Sequence, residues 1–175
     1  MEILEKYIDA SPYKKIFVKG ISELTETQKS ELENLVIRLE KAGAKNPLQW
    51  AFSEIKENIP QFGRFLVLKR LFEITKSPKE NVSMASDFDD EIEDKFSEIS
   101  KIIGEEKFLD FLLSFSKGIM YNVTELFDEG NRNMEEDKVN WILLKTDENG
   151  KHSEQIIQGL HEDFLEFENE IKIIK

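Results

Sequence analysis

A mainly α fold is what this sequence predicts: six or seven helices packed as a bundle-like domain, with one small β-hairpin near the C-terminus. Three observations carry that expectation. The chain holds 13 Phe, and with the aliphatic residues they recur at helical spacing along most of its length. Helix start signals, of the Ser/Thr/Asn cap and X-Pro types, punctuate that pattern. Near the C-terminus the character changes to a β-branched and aromatic run, VNWILL at 139–144, followed by Asn149-Gly150, a strong two-residue hairpin turn signal.

The elements follow in order. Ser11-Pro12 reads as an N-cap and first helical residue, leading into Ile16, Phe17 and Val18, with Gly20 as a stop. Thr25, with Gln28 three residues on, forms a capping box. The helix behind it sets Leu32, Leu35, Val36 and Leu39 on one face and ends at Gly43. Asn46-Pro47 starts the next helix, striped by Leu48, Phe52, Ile55 and Ile59. Pro60 lacks an N–H and restarts the chain, and Phe62, Phe65, Leu66, Lys69 and Phe72 continue as far as Ser77-Pro78. Residues 77–86, SPKENVSMAS, read as a linker. One domain over 1–175 is expected, and that linker is where two helical halves, 1–76 and 87–175, would join. Asp87 then caps a helix with Phe88, Ile92, Phe96, Ile99 and Ile103 on one stripe. Residues 105–128 are apolar on more than one face, which predicts a central, buried helix. Phe96 and Leu112 are therefore expected to be largely buried. A hairpin over roughly 139–156 precedes a last helix beginning near Gly159, striped by Leu160, Phe164, Phe167 and Ile171.

Composition bounds the function. The 175 residues are 39% hydrophobic and 34% charged, enough for one substantial core. With no cysteine, disulfides, thiolate metal sites and Cys nucleophiles are excluded. No apolar run reaches the ~18 residues of a membrane span. The first fifteen residues carry acids where a signal peptide needs bases, so a cytoplasmic protein is expected, without membrane contact. Charge is split along the chain. Residues 1–80 carry 14 Lys/Arg against 12 Asp/Glu, whereas 81–175 carry 10 against 24, within a net charge of −12. An acidic surface favours basic partners and repels nucleic acid.

Candidate chemistry is sparse. Asp87, Asp89, Asp90, Glu91, Glu93 and Asp94 crowd one short segment. Counted as a calcium loop with Glu98, that segment fails at its sixth position, where Ile92 stands in place of the glycine the turn needs. Acids at a helix N-terminus account for it without a metal. His152 and His161 are the only histidines. Neither has Glu three residues earlier, as a di-iron helix requires, and Phe164 and Leu165 occupy the positions where His161 would need a second ligand. His161, Glu162 and Asp163, beside Trp141, form the candidate polar site, since a histidine–carboxylate pair can act as a base or hold a ligand. Asp128-Glu129-Gly130-Asn131 reads as turn chemistry. Arg64, Lys69 and Arg70 read as an internal complement to the acidic half. Trp50 and Trp141 are core residues or interface anchors. No phosphate loop, dinucleotide fingerprint or nucleophile motif occurs.

These features predict a non-catalytic module that engages a basic protein through residues 81–175, by the charge logic that inhibitors and immunity proteins use. Asp87, Asp89, Asp90, Glu91, Glu93, Asp94 and Trp141 are the expected contacts. No cofactor or metal is expected. The alternatives are a small-ligand protein or enzyme built around His161, Glu162 and Asp163, and a homo-oligomer.

Overall fold

The computed structural model describes residues 2–132 and 134–172. It is 71% helical, with eleven helices and a two-stranded antiparallel hairpin among those residues. The mainly α class stands, while the helix count exceeds six or seven because the short helices carry too few residues to show a period. The helices are α1 (Glu2–Ala10), α2 (Lys14–Ser22), α3 (Glu26–Ala42), α4 (Pro47–Glu57), α5 (Gln61–Lys76), α6 (Pro78–Ala85), α7 (Ile92–Ile103), α8 (Glu105–Glu129) and α9 (Met134–Asp137). Strands β1 (Leu144–Thr146) and β2 (His152–Ile156) follow, then α10 (Leu160–Phe164) and α11 (Phe167–Glu170).

Local chemistry explains the first half. The Thr25 hydroxyl accepts the Gln28 N–H, and the Gln28 side chain accepts the Thr25 N–H, which completes the capping box of α3. Gly43 ends that helix at φ 98°, a left-handed conformation that costs glycine little. Pro47 sits in the first turn of α4, where its missing N–H breaks no bond.

The buried apolar residues gather in one cluster, contributed by α1–α5 and by residues 157–171. Phe65 is its centre. Trp50 and Phe167 pack on it with ring centroids 5.5 and 5.2 Å away, and Phe72 reaches Phe167 at 6.0 Å. Trp50 thus belongs to the core, and its indole N–H is satisfied by Glu170 at 3.2 Å. The C-terminal segment is also pinned by a bridge between Ala44 and Ile171 and by a 2.8 Å bond from the Lys45 N–H to the Glu170 carbonyl. Glu168 takes Lys76 of α5 at 2.6 Å and Lys117 of α8 at 3.3 Å.

The second half departs from expectation. Residues 78–85 form α6 rather than a linker, and α6 packs on α5, α7 and α8. Asp87 does not start the next helix. Residues 86–91 make turns, and α7 begins at Ile92, so Phe88 leaves the stripe and stands 89% exposed. Helix α8 is 25 residues long but is not central. Thr124 is the one described residue buried as a whole on it, beside the buried Asp128 carboxylate, and none of α6 or α7 is. Its C-terminal half lies against the core through Met120, Val123 and Phe127. Its N-terminal half pairs with α7 and α6 as an arm, through Phe96 against Phe108 at 5.2 Å and a Lys79–Glu105 ion pair. Phe96 and Leu112, expected to be largely buried, are only partly so. The apolar circumference of α8 does not mean burial all round. It reflects one face for α7, one for the core and one left to solvent.

The hairpin is shorter and later than its apolar run. Val139, Asn140 and Trp141 lie outside the strands, while His152–Ile156, a poor strand by composition, pairs with β1 in the register Leu144↔Ile156 and Thr146↔His152. Asp147 closes the turn at Asn149-Gly150 by accepting the Asn149 and Lys151 N–H groups. No helix among the described residues is long and apolar enough to cross a membrane.

Candidate functional site

Two regions carry unspent chemistry: a polar cleft beside α10 and the solvent face of the arm.

The cleft forms where β2 turns into α10. Gly159 makes that turn at φ 71°, and a Cβ there would stand 3.0 Å from the Arg64 guanidinium. Leu160 and Phe164 anchor α10 in the core, and His161 and Glu162 line the cleft. Arg64 of α5 is buried beneath them. Its guanidinium donates to the Gly159 carbonyl and to Asp163 Oδ2, both at 2.7 Å, and to Gln61 Oε1 at 2.8 Å. Burial pushes the Asp163 carboxyl above the usual carboxylate range. The Arg64 charge opposes that rise, and Glu162, Glu170 and Asp128 add to it.

Asp128, near the end of α8, supplies the other half. Its carboxylate is buried, with 4% of the side chain exposed against 37% for His161. Oδ2 accepts the His161 backbone N–H at 2.8 Å and stands 2.7 Å from His161 Nδ1. Because Oδ2 is an acceptor for the backbone, Nδ1 carries the ring proton, which leaves Nε2 as the free ring nitrogen. Asp128 Oδ1 and Arg64 Nε are both buried with no hydrogen-bond partner. Around these groups lies a solvent-open cleft of about 680 Å³, walled by Asn58, Ile59, Pro60, Glu154, Gln155 and Ile156. A carboxylate-oriented histidine is the geometry of a general base. Among the described residues no serine, threonine or cysteine lines this cleft. Among the described residues no three His, Asp or Glu side chains are grouped to hold a metal ion.

His161 and Glu162 line the cleft, whereas Asp163 lies outside its lining and meets it only through the ion pair with Arg64. Trp141 also lies outside the cleft, where its indole N–H is bound to the Leu126 carbonyl at 3.0 Å and its ring is partly exposed. Sequence reasoning misses Asp128, whose segment reads as turn chemistry, and sees Arg64 only as part of a basic cluster. Neither has a local signal, since their partners lie 33 and 99 residues along the chain.

The acidic segment sits between α6 and the first turn of α7. Asp87, Asp90, Glu91, Glu93 and Asp94 are exposed and Asp89 is half-buried. Asp89 accepts the Glu91 N–H at 3.0 Å and pairs with Lys95 at 2.9 Å. The bond from Lys95 first, and then that from Glu91, hold its carboxyl below the usual range. The arm also exposes large apolar side chains: Phe111 at 59% and Phe115 at 57%, their rings stacked 6.0 Å apart, with Ile119 one turn further, and at the far end of α7 Ile99, Ile102 and Ile103. Comparison with protein-family models, curated proteins and solved structures finds no match to this chain.

Proposed function

We propose that this protein is a non-catalytic binding module whose α6–α8 arm docks a basic, amphipathic segment of another protein. The observation that supports this most is the apolar face of the arm. Single exposed hydrophobics are ordinary, but several large ones along two paired helices mark an interaction surface. Charge supports the identity of the occupant. Residues 78–118 carry 11 Asp/Glu against 5 Lys/Arg, so a basic helix would lay its apolar side on Ile102, Phe111 and Phe115 and meet carboxylates at the rim. Asp87, Asp90, Glu91, Glu93 and Asp94 steer that encounter in the manner of acidic inhibitors and immunity proteins, and the buried apolar contacts set the lifetime of the complex.

The experiment is capture of proteins from the native host on the wild type and on an I102E/F111E/F115E variant, at low and high salt. A basic protein held by the wild type, lost from the variant and captured more slowly in high salt supports the reading. A protein held equally by both overturns it. Sedimentation velocity separates the competing occupant: a wild-type dimer that the triple variant abolishes assigns the face to a second copy of this chain.

A further inference from the structure

We infer that the cleft beside α10 is a binding site for an organic cation, an alkylammonium or guanidinium group, seated between Glu154, Glu162 and the Asp128–His161 pair. The charge of the cleft carries the first part of the inference. Among the described residues Arg64 is the one full cation in its lining, and it is neutralised by Asp163 at 2.7 Å, while Glu129 is matched by Arg132. Glu154 and Glu162 are matched by nothing among the described residues, so the cleft presents net negative charge from two different elements, β2 and α10. The second part comes from the floor. Asp128 lines the cleft with a side chain 4% exposed, and its Oδ1 has no hydrogen-bond partner. A buried carboxylate oxygen without a donor is uncommon, and an N–H group entering from the cleft would supply the missing donor. In its neutral form His161, with Nδ1 donating to Asp128, offers Nε2 as a further acceptor for the same ligand. The floor also holds the unpartnered Arg64 Nε donor, but with the Arg64 charge already held by Asp163 the carboxylates of Asp128, Glu154 and Glu162 favour a positively charged N–H donor over an anion. Ile59, Pro60 and Ile156 provide an apolar wall for the carbon chain that carries it. The site is independent of the arm, so failure of one reading leaves the other standing.

Two sources share this chemistry: a free diamine, and a Lys or Arg side chain of another protein. The test titrates the full chain with putrescine and, separately, with the blocked peptide acetyl-Gly-Arg-Gly-amide. Binding is followed by the imidazole NMR signals and by calorimetry. The chain has two histidines, and His152 on the exposed hairpin serves as the internal control. The expected result is a saturable shift of the His161 ring with His152 unmoved. E154Q/E162Q should weaken affinity about five- to tenfold, the sum of two solvent-exposed charge contacts. Both carboxylates are exposed, so the double variant keeps the fold, and I102E/F111E/F115E should bind as the wild type does. Tighter putrescine binding assigns the cleft to a free amine, and tighter peptide binding to a protein side chain. The inference is overturned if the shifts fail to saturate, if His152 moves in step with His161, if E154Q/E162Q binds like the wild type, or if acetate or phosphate saturates the site instead.

Discussion

Phe65 on α5 is fully buried against Trp50 and Phe167, whereas Phe111 on α8 stands 59% exposed and stacks only on Phe115, its neighbour one turn along. Both residues belong to helices with regular apolar spacing, and composition does not distinguish them. What differs is what covers them. α5 is packed by α3, α4, α6, α8, α10 and α11, whereas Phe111 lies in the N-terminal half of α8, where no described residue is buried. The core region converts apolar area into stability. The arm keeps part of that area free, and it is fixed to the core by the C-terminal half of α8, by α6 against α5 and by the Lys117–Glu168 pair. Amphipathic periodicity therefore reports that a helix has a face to bury, and leaves open whether the partner is in the same chain.

Substitutions can break this contrast, beginning with the largest effect. Phe65→Ala should cost about 3–5 kcal/mol in urea unfolding, as for a large ring deleted from a closed core. Phe111→Ala should stay within about 1 kcal/mol. Equal losses at the two positions would mean that the arm is packed as tightly as the core. Arg64→Met should cost about 1–3 kcal/mol. It orphans the Gly159 carbonyl and the Asp163 carboxylate, and water still reaches Asp163, so the penalty falls short of that for a fully buried ion. Phe96→Ala probes the seam of the arm. With one ring contact and partial exposure it should lose about 1–2 kcal/mol, below the range for a core ring. Native-state hydrogen exchange should also show α7 amides exchanging ahead of those of α5.

The smallest effect is electrostatic and ties the two regions together. Hydrogen bonds from Lys76 and Lys117 hold the Glu168 carboxyl below the usual glutamate range, against the opposing effect of burial. A depressed carboxylate stabilises the fold above its unfolded pKa, and that contribution disappears as pH falls through the folded value. Glu168→Gln should thus cost under about 1 kcal/mol at pH 7, and the difference from wild type should vanish in acid, below the glutamate range. A difference that persists at about pH 2, where the carboxylate is protonated in both states, would assign the loss to packing instead.

The parts of the fold set by near neighbours are legible in the sequence. Thr25 and Gln28 cap each other, Gly43 stops α3, and Leu32, Val36 and Leu39 share a face because the helical repeat places them there. The hairpin turn at Asn149-Gly150 is legible for the same reason, although the strands around it are not. β1 is tied to the helices by Lys145, which pairs with buried Glu54 of α4 at 3.1 Å, a partner 91 residues away. The interior is less legible. Phe167 fills a space made by Trp50, Phe65 and Phe72, and nothing in its own segment specifies that space. The cleft shows the same limit. His161, Glu162 and Asp163 stand out as a cluster, yet their orientation depends on Asp128 and Arg64, which local pattern marks as a turn residue and one base among several.

The long reach of the last segment has a consequence in time. Trp50 and Glu170, which share a hydrogen bond, are 120 residues apart. At ordinary rates of protein synthesis, on the order of 10 s separates the appearance of one from that of the other. Late in that interval the nascent chain holds α1–α5 and the α6–α8 arm, with the place of Phe164, Phe167 and Ile171 still empty. The ribosome thus releases helices that expose large apolar side chains before the residues that close the interior, and a chaperone that shields apolar helices is most useful in that window.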